Sequence, residues 1–564
     1  MVFNELAMPG GDDTTQRPPA GRVLVIGLDG ATFDLIEPWA KAGHLPNLAR
    51  LMAEGAWGRL QSTVPAHSAA AWATFATGLL PGRHGIYWFL GPTRDHQYFR
   101  PISADSIHGR TLWELIGEQG RRVGVMNVPL TYPPKPVNGY LIAGVLSPDA
   151  RSAFWPPELY EEVTRHCGEY VVEVYGKLNR RAHLEAIMAA IDRRSHVAEY
   201  LMTRRPADFT MVMFRMLDSV QHQFWADMDS HHPLHAQLGD DAMPEAILAC
   251  YRALDAALGR LLERAGPETT VFVISDHGFR GEYRRLAVNK WLQSRRLIAW
   301  QRRPASLVGK AVAVAAQLGL SPVIRNVVRT AAGARYRRSL VQRTQFIYRS
   351  IDWSRTKVVY GPNFGFNINL QGRDFEGLVP PSEYEALRDQ LIEELKALHD
   401  PETGLPIVTE VYRREEVYEG EAVDLAPDLI PEMAEYTTNG RRWGFGIDLK
   451  RAVWHLVAPP TLRMGGNHAP DGIFLAYGPH VRGSEMNGLH IADMAPTVLY
   501  AMGLAVPRAL DGQVRTELFD PAYVTRHTVR YKDLEVATEG KTGQVLSKEH
   551  EAVIEERLKS LGYL

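Results

Sequence analysis

Residues 22–30, near the N-terminus, read RVLVIGLDG. The first seven residues are apolar apart from Arg22 and rich in β-branched side chains, a composition typical of a parallel strand buried on both faces. In open α/β sheets, the groups that perform chemistry gather just beyond the carboxyl ends of such strands. Because Asp29 directly follows the run, the stretch predicts an α/β fold with a functional site at that end of the sheet.

Two further buried strands are predicted by the same pattern, and each is followed by an acid and a histidine. After the strand at 208–216, Asp218 and His222 have i, i+4 spacing, which places both on one face if this is a helical turn. After the strand at 270–274, Asp276 and His277 lie in a turn that Gly278 closes, where both side chains can converge on one point.

His468 lies in a short Gly-rich phrase before a further strand at 472–477. With the strand-end residues above, it completes a set of three carboxylates and three imidazoles. A single strand-end acid or histidine is more often structural. Six such residues at successive strand ends point to a metal site.

A serine begins a predicted helix between residues 63 and 86. Pro65 stops the preceding segment, and Ser68 heads an Ala-rich run that closes at Gly78. The N–H groups and the positive end of the helix dipole face the serine oxygen. Two interpretations remain open on these grounds, a serine helix cap and a nucleophile that attacks a phosphate.

Composition limits the class of protein. The 564 residues are 45% hydrophobic and 23% charged with a formal net charge of -2, so no overall attraction to nucleic acid or membrane is expected, and no specific nucleic-acid motif is present. Cys167 and Cys250 supply neither a disulfide framework nor a CxxC zinc site, so His and carboxylates must hold any metal. Residues 1–20 lack a signal-peptide pattern, which predicts a cytoplasmic location.

The chain is long enough for a catalytic core with insertions. We predict a disordered tail at 1–20, a first core part at 21–296 with a helical insertion at about 156–205, and a cap at 297–460. A second core part follows at 461–520. The C-terminal tail at 521–564 is predicted to finish in a short helix, Lys548–Leu561.

The cap contains a strongly basic segment. Residues 301–350 carry ten Lys and Arg and no Asp or Glu, a local positive field in a nearly neutral protein. One interpretation is contact with an anionic membrane surface. The alternative is a helical hairpin buried in the cap with a solvated basic face.

The order of these motifs resembles the alkaline phosphatase superfamily, and within it the type I phosphodiesterase/nucleotide pyrophosphatase family. The phrases that carry the resemblance are Gly27–Gly30, Thr77–Ile86, Ser275–Phe279, Gly466–His468, Ala495–Leu499 and Leu510–Gly512. The resemblance covers roughly residues 20–295 and 460–515. It implies a three-layer core with a mostly parallel central sheet and an inserted cap domain.

The resemblance also implies two divalent metal ions, zinc with manganese as the alternative. Asp218, His222 and His468 would hold one ion, and the other would be held by Asp29, Asp276 and His277 together with Ser68. Two such ions about 4 Å apart can clamp a phosphoryl group. Ser68 would then attack phosphorus and form a phosphoseryl intermediate that water hydrolyses.

Departures from related patterns narrow the expected activity. Tyr87-Trp88-Phe89 stands where nucleotide pyrophosphatases carry a phosphate-binding asparagine. Ala70 and Trp72 replace the Pro and Arg of the sulfatase motif, which argues against sulfatase chemistry. No counterpart of the phosphate-clamping arginine of classical alkaline phosphatases is identified, which favours diesters over monoesters.

The leading hypothesis is therefore a metal-dependent phosphodiesterase acting on a small-molecule, lipid or glycan phosphate ester. A phosphomonoesterase and a phosphoglycerate-mutase-like phosphotransferase are the alternatives within this chemistry. An anionic-lipid or polyanion-binding protein that uses the basic cap is the alternative outside it. Within the cap, Asn369 and Arg373 are predicted substrate contacts, and the competing interpretation is a hairpin without a ligand.

Overall fold

The computed structural model describes residues 21–92, 99–175, 179–301, 350–449, 456–460, 464–536 and 546–561. The strands are β1 (Arg22–Leu28), β2 (Ala56–Gln61), β3 (Leu90–Pro92), β4 (Phe99–Pro101), β5 (Val123–Met126), β6 (Gly139–Ile142), β7 (Phe154–Trp155), β8 (Phe209–Phe214), β9 (Thr269–Ile274), β10 (Gly278–Ala287), β11 (Val358–Tyr360), β12 (Phe366–Ile368), β13 (Val408–Arg413), β14 (Leu429–Met433), β15 (Glu435–Thr438), β16 (Arg441–Asp448), β17 (Val457–Ala458), β18 (Gly466–Ala469), β19 (Asp471–Tyr477), β20 (Ser484–His490), β21 (Val506–Pro507) and β22 (Tyr531–Lys532).

The helices are α1 (Phe33–Lys41), α2 (Pro46–Glu54), α3 (Ser68–Thr77), α4 (Pro81–His84), α5 (Leu112–Glu118), α6 (Leu159–Cys167), α7 (Arg180–Arg204), α8 (Met216–Met228), α9 (Ala246–Ala265), α10 (Val288–Ser294), α11 (Pro381–Lys396), α12 (Arg414–Val417), α13 (Met494–Ala501), α14 (Pro521–Arg526) and α15 (Lys548–Leu561).

Within the described residues, nine strands form the central sheet in the order β20-β2-β19-β9-β1-β8-β5-β6-β7. The neighbours of β1 on both sides, β9 and β8, run parallel to it. β19 is antiparallel to both β9 and β2, and β7 is antiparallel to β6. β8 and β9 are buried at every residue, and β1 at every residue except Arg22, as their continuous apolar sequences predict.

Two groups of helices cover the central sheet. One group contains α1, α2, α6, α7, α8 and α9, and the other contains α3, α4, α5 and α13, with contacts within each group. Strands buried on both faces require a layer of helices on each face, and these two groups provide it. The α/β class with a large, mostly parallel central sheet is thus confirmed.

Two smaller sheets extend from the central one. β10 pairs with β16, β17 and β18, and β16 pairs in turn with β15. The other sheet has the order β11-β12-β14-β13. Their apolar side chains form a second hydrophobic cluster, with Trp291, Phe366 and Phe445 among its buried members.

One helix of the core is capped by another helix. α2 begins with Pro46 and has no side-chain cap within its own sequence. The Asp255 carboxylate of α9, which is buried, accepts hydrogen bonds from the backbone N–H groups of Asn47 (3.1 Å) and Leu48 (2.8 Å). This contact satisfies donors that a helix start otherwise leaves open.

Several sequence predictions have a clear outcome here. Strand Arg22–Leu28 and helix Lys548–Leu561 are confirmed. The tail at 1–20 and nearly all of the basic segment at 301–350 lie outside the described residues, so membrane contact through that segment stays a prediction, as do the domain boundaries and the cytoplasmic location. In the part of the chain that the structure describes, no helix is long and apolar enough to span a membrane.

Candidate metal and nucleophile site

The registers of two sheets bring the predicted site residues together. Leu28 pairs with Phe214, and Gly27 pairs with Ile274, so β1, β8 and β9 end at the same level. Asp29 therefore lies beside the start of α8 and beside the turn at Asp276. The antiparallel pairing of β10 with β18 then sets Phe279 opposite His468. As a result, the His277 and His468 rings stack with centroids 3.8 Å apart.

Asp218 and His222 lie on the same face of α8, as their spacing predicts. Asp218 Oδ1 is 3.2 Å from His222 Nε2 and also 3.2 Å from His468 Nε2. Asp218 is fully buried and both rings are nearly so. These three side chains form one candidate metal-binding group.

The histidine tautomers leave three lone pairs directed into the cluster. The Nδ1 atom of His222 lies 2.8 Å from the carbonyl oxygen of Gly466, and His277 and His468 make the same contact with Gly278 and Ala66 at 3.0 and 3.1 Å. A carbonyl oxygen can only accept, so each Nδ1 carries the proton of the neutral ring and each Nε2 carries a lone pair.

Two of these lone pairs face each other directly, since His222 Nε2 and His468 Nε2 are 3.1 Å apart. In the neutral rings neither atom has a proton to donate, so the pair repels unless a proton on His222 or a metal cation lies between them and the nearby carboxylate. Backbone-anchored Nδ1 atoms and convergent Nε2 atoms are the usual arrangement of histidine metal ligands. The donor set thus fits a metal.

The second candidate group consists of Asp29, Asp218 and His277, with Asp276 beside it. His277 Nε2 lies 3.6 Å from Asp29 Oδ1 and 3.2 Å from Asp276 Oδ2. Asp276 Oδ2 is buried and accepts no hydrogen bond from the described residues. A fully buried carboxylate oxygen without a donor is costly, and a cation would satisfy it.

Ser68 lies against this second group, at the N-terminus of α3. Its hydroxyl donates to Asp29 Oδ1 at 3.3 Å, and its oxygen is 3.2 Å from His277 Nε2. The prediction that Ser68 caps the helix is wrong by one residue. His67 is the cap, because its Nδ1 accepts from the Ala69 N–H at 3.2 Å, and Ser68 is the first helical residue. The serine hydroxyl is thereby left for contacts within the site.

Burial and neighbouring charges shift the pKa values of the candidate ligands. Burial lowers the pKa of both His277 and His468 to about 4. Burial would raise the pKa of Asp218, but the nearby His222 and His468 outweigh it and hold that pKa well below its usual range. Burial, reinforced by Asp276 and Asp218, raises the pKa of Asp29 well above its ordinary value.

His222 and Asp276 complete this electrostatic description. Burial opposes protonation of His222, but the Asp218 carboxylate outweighs it, so the His222 pKa lies above its ordinary value. Burial raises the pKa of Asp276 from 3.8 to about 7. Without a cation, the raised pKa values keep Asp29 and Asp276 protonated to a higher pH than usual, whereas a bound cation would favour their ionised forms.

We expect metal stabilisation of the protein to grow with pH because of Asp276. The folded metal-free protein keeps this proton up to about pH 7, whereas the unfolded chain releases it near pH 3.8. The metal-free fold therefore loses stability as pH rises through this window, while metal binding gains, by up to about tenfold in affinity per pH unit below 7 for one displaced proton. Melting temperatures with chelator and at fixed free Zn²⁺ should diverge from pH 5.5 to 8. A constant or shrinking difference would contradict this expectation.

Three residues of the site escaped the sequence analysis. The indole N–H of Trp72 donates to Asp29 Oδ2 at 3.1 Å. The Arg215 guanidinium bonds Asp218 Oδ2 at 3.0 Å and Glu173 Oε2 at 2.6 Å. Helical spacing was the available signal for two of them, because Trp72 is four residues after Ser68 and Arg215 is three before Asp218. Glu173 had no such signal, since it comes from a distant loop.

The structure places Asn369 and Arg373 in the cap, bonded to other parts of the chain. The Asn369 amide donates to the carbonyls of Trp353, Thr356 and Glu376. Arg373 pairs with Asp428, with Nη1 2.6 Å from Oδ1. These bonds give both side chains a structural role within the cap. Contact of Asn369 or Arg373 with substrate stays a prediction.

The aromatic run at 87–89 packs between the cap and the segment that begins α3. The Tyr87 hydroxyl donates to the Ala422 carbonyl, and the Tyr418 hydroxyl of the cap donates to the Val64 carbonyl. The two tyrosine rings meet edge to face with centroids 5.0 Å apart. Trp88 contacts the His67 ring and the cap residue Phe364. The run thus has a structural role between the cap and the residues that precede α3.

The fold and the cluster of strand-end acids and histidines are those that the resemblance to the alkaline phosphatase superfamily implies. The family model described as type I phosphodiesterase/nucleotide pyrophosphatase matches residues 23–446, and the chain belongs to this family. Its activity is accordingly of the phosphoester hydrolase class. Members of the family are metal-dependent, typically with two metal ions.

The solved structures to which the chain is similar share little sequence with it. Phosphonoacetate hydrolase from Sinorhizobium meliloti 1021, in complex with phosphonoformate, is 15% identical with a TM-score of 0.49, over 86% of this chain and 96% of that one. Murine ectonucleotide pyrophosphatase/phosphodiesterase 5, an inactive variant in complex with AMP, is 13% identical with a TM-score of 0.46, over 89% and 100%. The human form of that protein is 13% identical with a TM-score of 0.46, over 88% of this chain and 100% of that one. No curated protein matches the chain.

Proposed function

We propose that the protein is a metal-dependent phosphodiesterase that uses Ser68 as its nucleophile at a site for two divalent ions, with zinc as the preferred metal. The observation that carries the proposal is the convergence of the lone pairs of His222, His277 and His468 on three buried carboxylates beside the Ser68 hydroxyl. Asp218, His222 and His468 would hold one ion, and Asp29, Asp276, His277 and Ser68 the other.

Two bound divalent cations would lower the pKa of the serine hydroxyl and neutralise charge on the phosphoryl oxygens. The chain itself aligns the nucleophile. His67 caps α3, so the Ser68 hydroxyl remains directed at Asp29 and His277, with the positive end of the helix behind it. Ser68 Oγ, once its proton has passed to solvent, forms a bond to phosphorus as the bond to the leaving oxygen breaks, and water supplies a proton to that oxygen. Water then attacks phosphorus, and the bond to Ser68 Oγ breaks with return of a proton to the serine.

Charge balance favours a diester over a monoester. Two divalent ions and the carboxylates of Asp29, Asp218 and Asp276 sum to +1, and ionisation of Ser68 brings the sum to zero. Arg215 adds no net charge because it is paired with Glu173, and both side chains are 2% exposed. A diester introduces one negative charge and a monoester nearly two at neutral pH. A diester therefore brings the site to a net charge of about -1 and a monoester to nearly -2, and the larger uncompensated charge costs more to bury.

The experiment is a comparison of bis-p-nitrophenyl phosphate with p-nitrophenyl phosphate on protein loaded with Zn²⁺ or Mn²⁺. We expect a kcat/KM at least about tenfold higher for the diester, corresponding to about 1.4 kcal/mol in the barrier, and no hydrolysis after chelation. A preference for the monoester would overturn the diester assignment. Transfer to an added alcohol in place of water would favour the phosphotransferase alternative.

A further inference from the structure

Each of the three candidate ligand carboxylates has one oxygen held by an N–H donor of the protein. Trp72 Nε1 holds Asp29 Oδ2 at 3.1 Å, and the Gly30 backbone N–H holds Asp276 Oδ1 at 3.2 Å. The corresponding donor for Asp218 Oδ2 is Arg215 Nη1, at 3.0 Å. In each case the other oxygen faces the histidine Nε2 atoms. The donors therefore determine which oxygen each carboxylate presents.

Arg215 differs from the other two donors in being charged, and its guanidinium is fixed from three directions. Nε donates to Glu173 Oε2 at 2.6 Å, Nη1 to Asp218, and Nη2 to Ser219 Oγ at 2.9 Å. Only a planar guanidinium can make three bonds in these directions at once. The other Glu173 oxygen accepts from the Val174 backbone N–H at 3.1 Å, so the carboxylate that orients Arg215 is itself fixed.

A cation beside a metal site would normally be unfavourable, because it repels the metal. Glu173 removes this objection, since it cancels the charge of Arg215 at 2.6 Å while both side chains are 2% exposed. The pair therefore acts on the site through the directions of its hydrogen bonds and not through a net charge. Asp218, a member of both candidate metal groups, is left with Oδ2 occupied and with Oδ1 3.2 Å from His222 and from His468.

We propose that Arg215 and Glu173 are positioning residues that hold Asp218 in the orientation needed to bind metal through Oδ1. This inference rests on the proposed function in that it takes Asp218 as a metal ligand. It adds that affinity for the ions depends on a charge-neutral pair that does not itself touch them. Residues that orient metal ligands in this way typically contribute 10–100-fold to metal affinity or activity.

The test is a titration of the metal-free protein with Zn²⁺ against a competing chelator, which requires no turnover. The informative variant is the double substitution Arg215→Met with Glu173→Gln, which removes both charges of the pair and so leaves no uncompensated buried ion. We expect at least one of two binding steps to weaken about 10–100-fold. Arg215→Lys should give a similar loss, because an ammonium cannot replace the fork of donors.

Electrostatics alone predicts a different result. If Arg215 acted only as a charge, the neutral double variant would leave Zn²⁺ binding nearly unchanged, because the pair has no net charge to lose. That result would overturn the proposal. The matched control is Arg284→Lys, at a partly buried arginine of β10 that pairs with the buried Asp400, with Nε 2.6 Å from Asp400 Oδ2. It should leave both Zn²⁺ affinities unchanged, even if it lowers the melting temperature.

The outcomes also separate this inference from the proposed function. Two Zn²⁺ ions bound with unchanged affinity in an active double variant would refute the positioning role and leave the phosphodiesterase proposal intact. Wild-type protein that binds Zn²⁺ but hydrolyses no diester would refute the proposed function, while a weakened titration in the variants would still support positioning. Wild-type protein that binds no divalent ion would refute both.

Discussion

Replacement of Ser68 by alanine is expected to lower kcat/KM for a phosphodiester by roughly 10⁴-fold or more, because the reaction loses the oxygen that bonds to phosphorus. The fold should be unaffected. Ser68 is the first helical residue of α3 and not its cap, and alanine is a good helix former. The measurement is steady-state kinetics on bis-p-nitrophenyl phosphate, with melting temperature as the check on folding.

Two further readouts distinguish loss of the nucleophile from loss of the site. Zn²⁺ content should remain at two ions, since Asp29, Asp276 and His277 are unchanged. Acid quenching of the wild type during turnover of a diester with labelled phosphorus should trap label on Ser68, and the alanine variant should trap none. The variant Ser68→Thr, which keeps a hydroxyl, should retain more activity than Ser68→Ala. Full activity in Ser68→Ala would refute the nucleophile assignment.

Asp218→Asn is expected to produce the largest loss of metal. Asp218 belongs to both candidate metal groups, and the substitution removes its charge while it preserves its size. An amide oxygen can still accept the Arg215 bond, but the second polar atom becomes an NH₂ donor directed at lone pairs on His222 and His468. We expect at least one ion to be lost in elemental analysis, and a fall in kcat/KM of roughly 10³-fold or more.

Asp255→Asn is the matched control for this substitution. Asp255 is also a buried aspartate on a helix of the core, but it caps α2 and contacts none of the candidate ligands. Asparagine keeps one of the two oxygens that accept these bonds, so the substitution should cost less than the roughly 1 kcal/mol of a lost cap. Its melting temperature should therefore fall modestly while its Zn²⁺ content stays the same. Equal metal loss in both variants would show that Asp218→Asn acts through the fold and not through the ligand set.

The sequence predicted those parts of the site that depend on strand ends and short spacing. Apolar runs identified β1, β8 and β9. Because parallel strands direct their carboxyl ends to the same edge of a sheet, Asp29, Asp218 and Asp276 could be expected at one edge. The i, i+4 spacing of Asp218 and His222 fixed their common face without knowledge of the fold.

What the sequence did not predict depends on tertiary register. Glu173 reaches Arg215 from a loop between α6 and α7, and no local pattern links two residues separated by a helix and a strand. The sequence favoured Ser68 as the cap because serine is among the commonest helix caps and histidine is not, whereas in the structure the helix begins one residue earlier and His67 Nδ1 accepts from the Ala69 N–H. The role of Tyr87 could not be read from nearby sequence, because its partners Ala422 and Tyr418 lie more than 300 positions away.

The reciprocal tyrosine contacts between Tyr87 and Tyr418 have a consequence for protein engineering. The Tyr87 hydroxyl of the core donates to a main-chain carbonyl of the cap, and the Tyr418 hydroxyl of the cap donates to a main-chain carbonyl of the core. The position of the cap therefore depends partly on the segment that follows α3. A chimera that takes only its cap, from residue 297 onward, from another protein would lose the hydrogen bonds that these two tyrosines make. The natural unit of exchange is therefore discontinuous, and recombination between such enzymes should transplant residues 87–89 together with 410–430.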